Sequence, residues 1–222
     1  MKCLPKLGAA VWLVAVSASA SAAEVKGIAK VIDGDTIRIG GTTIRLHGID
    51  APEAGQKCVT ASGKSWDCGD AAMDGLGDLI AGHITCVGTE YDGYNRLLAV
   101  CRSSEGIEIN RTLVKDGHAW AFRKYSFDYA NEEAEARASR LRIWQAVTQT
   151  PWDYRADKWR VAEQTSPNGC PIKGNISNNG HIYHAPWSPW YSRTKLSLEK
   201  GERWFCSERE ALDAGWRAPA WR

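Results

Sequence analysis

Residues 31–53, VIDGDTIRIGGTTIRLHGIDAPE, constrain this chain more than any other stretch. Asp33-Gly34-Asp35 is turn chemistry. Thr36-Ile37-Arg38-Ile39 alternates with period two, so Ile37 and Ile39 share one face of a strand. Gly40-Gly41 reads as a two-residue hairpin loop of the primed kind, with positive φ expected at both positions. Residues 42–48 return antiparallel, with Ile44 and Leu46 on one face and Thr43, Arg45 and His47 on the other. Pro52 ends the pairing. The hairpin therefore brings Asp35, near its start, close to Asp50, near its end.

Asp35, Arg45, Asp50 and Glu53 put too many charges into so short a β-rich segment for a sheet core. They form either the solvated rim of a sheet or a site. Two neighbouring carboxylates repel unless a cation or a shared proton relieves them. A hard cation with oxygen ligands, Ca2+ most naturally, is the simplest relief. An arginine beside such a pair suits a phosphate, because the guanidinium fork matches two phosphate oxygens. Glu53, held next to the rigid Pro52, is placed to order a water or to take its proton.

This set of residues resembles the staphylococcal nuclease (thermonuclease) family. The matching pieces are Asp33-Gly34-Asp35-Thr36, then Arg45-Leu46-His47-Gly48-Ile49-Asp50-Ala51-Pro52-Glu53, and later Tyr91-Asp92-Gly93-Tyr94-Asn95-Arg96. The resemblance covers roughly residues 25–159. It implies that Asp35, Asp50 and the Ala51 carbonyl hold Ca2+, and that Arg45, Glu53 and Arg96 are catalytic. It also implies that Tyr94 and Tyr125 flank the nucleotide; Arg123 is a substrate-binding candidate on its own chemistry, since Arg123, Lys124 and Tyr125 make a basic-aromatic patch at a groove edge. Arg123 stands where the family pattern has a Tyr, Gly93 where it has a Lys, and Ala51 where it has a Thr. A backbone carbonyl serves equally from Ala51, so these departures touch base preference rather than the chemistry. Its implied fold is mainly β with helices, α+β: a five-stranded OB-fold Greek-key barrel with helices packed around it.

Residues 1–23 read as a signal peptide. Lys2 and Lys6 give the positive start, residues 7–16 the short apolar run, and residues 17–23 the small residues before a cleavage point. No other apolar stretch is long enough to cross a membrane. The whole chain has 28 basic and 26 acidic residues. Losing a segment with two Lys and no acids leaves the rest near neutral, so net charge does not advertise a nucleic-acid binder. Phosphate binding has to come from local groups.

Of seven cysteines, Cys3 lies in the signal, and Cys58, Cys68, Cys86, Cys101, Cys170 and Cys206 remain. An even number in an exported chain suggests disulfides. Cys86 and Cys101 are symmetric about the turn at Gly93-Tyr94, so they face each other across a hairpin. Cys58 and Cys68 share one local loop, and Cys170 with Cys206 would staple the tail. The alternative, a zinc site, lacks any Cys-x-x-Cys spacing.

Further along, residues 56–70 read as a loop over Trp66, and residues 71–81 as a helix with Met73, Leu76, Leu79 and Ile80 on one stripe. Strands are expected at 83–90 and 97–102. Asn110 is expected to cap a helix that ends before Gly117. Residues 118–122 read as a short closing strand, and 129–141 as a charged helix anchored by Ile143-Trp144. Lys115, Asp116 and His118 read as solvated surface, and His47 as a polar neighbour of the site. The domain that starts at residue 24 is expected to end at 160, after the Trp- and Arg-rich PWDYRADKWR. Residues 161–168 read as a linker.

Residues 169–222 have their own character, with a capping box at Ser207-Glu208-Arg209-Glu210 and a stop at Gly215. They resemble the small sunset-like module, CPIKGN…IYH…WFCSE…AGW, that follows exported domains. So small a module needs a staple, here a disulfide. Its eight basic and five acidic residues make it the positive part of the chain. It is a candidate holder of nucleic acid or an envelope polymer. His181 and His184 read as packing or surface residues.

The expected protein is an exported, periplasmic or secreted, monomeric Ca2+-dependent nuclease. It would hydrolyse DNA and RNA to 3′-phosphate products, with no stable protein partner. The alternatives are a catalytically inactive nuclease-like domain that binds nucleic acid, and an envelope protein whose tail is the working part.

Overall fold

The computed structural model describes residues 22–219, so nearly all of the expected signal at 1–23 lies outside the described residues. The chain opens with β1 (Ala23–Asp33), β2 (Thr36–Ile39), β3 (Thr42–Leu46) and the two-residue β4 (Ile49–Asp50). A small hairpin, β5 (Lys57–Val59) and β6 (Ser65–Asp67), leads into helix α1 (Cys68–Leu79). Then come β7 (His83–Tyr91), β8 (Leu97–Ser103), α2 (Ile109–Lys115), β9 (Trp120–Ala121), α3 (Ala130–Ala138) and α4 (Pro151–Thr165). The tail holds β10 (Ile172–Ser177), β11 (Gly180–His184), β12 (Arg203–Phe205) and α5 (Glu208–Asp213).

Strands β1, β2, β3, β8 and β7 close into a five-stranded barrel in that order, as expected of an OB-type α+β fold. All neighbours are antiparallel except β3 and β8. β1 is long enough to pair with β7 through residues 23–28 and with β2 through 29–33, which closes the barrel. The period-two alternation is observed: Ile37, Ile39, Ile44 and Leu46 point into the core. Burying such a side chain contributes roughly 1.5–3 kcal/mol. Helices α1 and α2 cap this core with Ala72, Leu76, Ile80, Ile109, Leu113 and Val114. Ile39 pairs with Thr42 around the two-residue loop, but only Gly40 has positive φ, at 55°. The turn therefore needs a glycine at its first position only, as a type II′ turn does.

Other expectations change as well. Residues 118–122 do not close the barrel; β9 pairs with β4 and so fixes the backbone of Asp50 instead. Asn110 is not the cap of α2, which is Glu108. Its amide is fully buried, donates to the His47 and Ala99 carbonyls and accepts from the Cys101 N–H, tying β3, β8 and α2 together. His118 is buried rather than solvated, because it packs against Gly75, where a Cβ would sit 2.6 Å from its ring.

All three cysteine pairs close as expected: Cys58–Cys68, Cys86–Cys101 and Cys170–Cys206. The tail forms a three-stranded sheet, β11-β10-β12, around Ile172, Tyr183, Phe205 and Trp216. The Ser207 hydroxyl caps α5 by accepting from the Glu210 N–H, as its capping box predicts. The stretch expected as a linker, 161–168, continues α4 to Thr165 and then makes a turn at 167–169. Trp159 on that helix packs against the tail core. Among the described residues no helix is long and apolar enough to cross a membrane.

Candidate active site

The site grows out of the turn between β1 and β2, the end of β3, and β4. The Asp35 backbone carbonyl accepts from the Leu46 N–H at 2.9 Å, which locks the hairpin ends together. Its carboxylate accepts from the Thr36 hydroxyl at 2.9 Å and the Ala51 N–H at 3.2 Å. Arg45, on the site face of β3, donates to Asp35 and to Asp50, each at 2.9 Å. Asp50 is completely buried, and Glu53 nearly so. Gln56 holds the Glu53 loop: its side chain accepts from the Glu53 N–H at 3.1 Å and donates to the Gln149 carbonyl at 2.8 Å. Behind that loop α1 approaches so closely that a Cβ on Gly69 would lie 1.9 Å from the Glu53 carbonyl oxygen.

A second arginine enters from α4. Arg155 donates to both Asp50 oxygens, at 3.1 and 2.7 Å, and to the Glu53 carboxylate. Its helix starts with Thr150 as cap and Pro151 in the first turn. Trp152, three residues before Arg155, stacks on Phe122 with ring centroids 5.4 Å apart and meets Trp120 edge-on at 6.4 Å. One side of the helix N-terminus is thus seated in an aromatic cluster while the other reaches the carboxylates.

Asp33 completes the cluster. Burial, and then the charge of Asp35, raise its carboxyl to about 6, and its neighbours Gly34, Glu53 and Arg45 offset only part of that rise. Burial and then Asp33 push Glu53 well above the usual carboxylate range, against the pull of Arg155. Burial also acts on Asp35, but Arg45 and then Arg96 outweigh it and hold this carboxyl below its ordinary value. Four acids face two arginines in direct contact, so negative charge is in excess. That excess and the all-oxygen donor set suit a hard divalent cation. Among the described residues no three acidic, His or Cys side chains already converge as a metal cage, because the arginines lie between the carboxylates.

The remaining candidates sit around this centre. Arg96 is tied to Asp92 at 2.7 Å, lies 5.1 Å above the Tyr94 ring, and is close enough to lower Asp35 electrostatically. Arg123 does not contact the carboxylates; it pairs with Glu133 at 2.7 Å. It lines a groove of about 700 Å³ with Trp120, Phe122, Lys124 and Trp152. Tyr125 is exposed and packs edge-on against Phe122. His47 makes its contacts through its backbone. In the tail, His184 hydrogen-bonds to Asn175 and Ser188, and His181 stacks on Trp216. The tail also touches the site hairpin, where Arg209 donates to the Gly93 carbonyl at 3.0 Å.

Sequence reasoning did not assign Arg155, Gln56 or Asp33 to the site. Arg155 had one local signal, a position three residues after Trp152 in a helix opened by Thr-Pro. Its carboxylate partners lie about a hundred residues away, and nothing local marks them.

A closed OB-type barrel with acids and arginines at one edge defines a class, and similarity to known proteins fits it. The family model described as staphylococcal nuclease homologue matches residues 43–146, and one described as ArfC matches 154–218. A Rhizobium meliloti protein named succinoglycan biosynthesis protein ExoI is 31% identical over 144 residues, covering 63% of this chain and 75% of that protein. An uncharacterized endonuclease of Escherichia coli O157:H7 is 31% identical over 145 residues, covering 61% and 88%. A micrococcal nuclease of Shigella flexneri is 31% identical over 162 residues, covering 64% and 83%. The chain belongs to the staphylococcal nuclease family.

Proposed function

We propose that this protein is a nuclease, a phosphodiester hydrolase that uses Ca2+ and leaves 3′-phosphate ends on DNA and RNA. One observation carries the reading: Asp35, Asp50 and Glu53 are buried at a barrel edge, with the half-buried Arg45 and Arg155 bonded to them and the half-buried Asp33 beside them. Relatives named endonuclease and micrococcal nuclease support it.

Asp35, Asp50 and the Ala51 carbonyl would hold the cation, which supplies Lewis-acid polarisation of a phosphate oxygen when bound. Glu53, made more basic by burial, takes a proton from the attacking water. Arg45 and Arg96 bind the phosphate oxygens and stabilise the charge that builds on them. Tyr94 and Tyr125 flank the nucleotide, and Arg123 with Lys124 tracks the backbone along the aromatic groove. Three disulfides suit a periplasmic or secreted protein.

The test is cleavage of single-stranded DNA by residues 24–222, with Ca2+ and then with excess chelator. Activity should require Ca2+, and Glu53→Ala or Arg96→Ala should each lower it by on the order of 10²–10³ or more. A folded, oxidised sample that is inactive in Ca2+ would leave a nucleic-acid-binding module as the reading.

A further inference from the structure

Arg155 comes from outside the stretch that matches the nuclease family model, yet it makes more contacts with the site acids than Arg45 does. Its guanidinium grips Asp50 with both terminal nitrogens and reaches Glu53 with one of them. The grip is built rather than incidental. Pro151 is buried, Trp152 is locked against Phe122, and Gln149 just before the helix is bonded by Gln56, the residue that also holds the Glu53 loop. Arg155 therefore arrives on a rigid element at a fixed distance from two carboxylates. Asp50 already carries Arg45 on one oxygen, so with Arg155 in place both its oxygens are engaged.

We propose that Arg155 is the internal counter-cation of Asp50 and Glu53, a positioning residue that holds Glu53 for the reaction and competes with the divalent cation for Asp50. This rests on the nuclease reading above and adds a third arginine to it. In the metal-free protein Arg155 neutralises the cluster and keeps it folded. When a cation takes Asp50, the guanidinium retains Glu53, and its freed donors face the place where a phosphate approaches. The planar fork matters, because an ammonium can hold one carboxylate but cannot bridge two with the same geometry.

The two halves of the proposal move opposite observables. In the full chain, Arg155→Gln should bind Ca2+ about tenfold more tightly by calorimetry with the metal alone, since a competing charge a few ångströms away is gone. The same variant should lose about 10–100-fold in kcat at saturating Ca2+, with KM changed less, as loss of an outer partner does. Arg155→Lys should keep Ca2+ affinity near wild type and regain part of the rate. A residue that only supports the fold would weaken both or neither. Ca2+ affinity that is unchanged or lower in Arg155→Gln overturns the proposal, and so does a wild-type kcat. If Arg155→Gln does not fold, Arg155→Lys decides: kcat and Ca2+ affinity both falling together would overturn it. A wild-type protein that binds Ca2+ but cleaves nothing sinks the nuclease reading alone, and the calorimetric comparison still judges Arg155. A wild-type protein that binds no Ca2+ sinks both.

Discussion

His118 shows how one side chain can tie stability to pH. It is buried against Gly75, and burial, followed by the charge of Arg142, lowers its pKa from 6.5 to about 4. The folded state therefore holds the neutral ring. That contribution is fully present above pH 6.5, where folded and unfolded forms are both neutral. It is lost as pH falls toward 4, because only the unfolded chain takes up the proton. Urea unfolding at pH 7 and pH 4.5 should show His118→Gln losing about 2.5 kcal/mol less on acidification than the wild type. Equal losses would mean that the ring titrates normally in the fold. Asp33 works the other way, since its carboxyl is raised to about 6, so the comparison of variant with wild type is what isolates the histidine. Neither environment was legible in the sequence. His118 looks like one more polar residue in KDGH, and Asp33 like half of a turn.

At the scale of elements, much was legible where the physics is local. The period of two in β2 and β3, and the symmetric cysteines of β7 and β8, specify register without help from the rest of the chain. They were enough to bring Asp35, Arg45 and Asp50 together. What was not legible depends on one element touching another. Asn110 reads as a cap because capping is local chemistry, whereas its real partners are carbonyls of β3 and β8. Helix α1 is similar. Its early start at Cys68, where the sequence suggested a loop, follows from packing of Gly69 onto the Glu53 carbonyl. Gly69→Ala should therefore displace the Glu53 loop, cost about 1–3 kcal/mol, and lower kcat at least as clearly as stability. Thermal melting alongside cleavage rates would check this, and a fully active, equally stable variant would contradict the packing.

At the scale of the whole molecule, the tail is a second small core closed by one disulfide over 36 residues of sequence. In the chain-entropy view such a closure contributes about 4 kcal/mol. Cys206→Ser with Cys170→Ser should unfold the tail at lower denaturant than the barrel, read from separate Trp fluorescence and nuclease transitions. A single transition at the wild-type midpoint would argue that barrel contacts, not the staple, hold the tail. Those contacts exist: Pro189 lies where a Cβ on Gly55 would meet it at 3.1 Å, and Arg209 donates to the Gly93 carbonyl at 3.0 Å.

Arg155 and Trp159 sit one turn apart on α4, about 6 Å along its axis. One belongs to the carboxylate cluster and the other to the tail core. Among the described residues, a break within α4 between the two would therefore part the carboxylate cluster from the tail core at a single turn of helix.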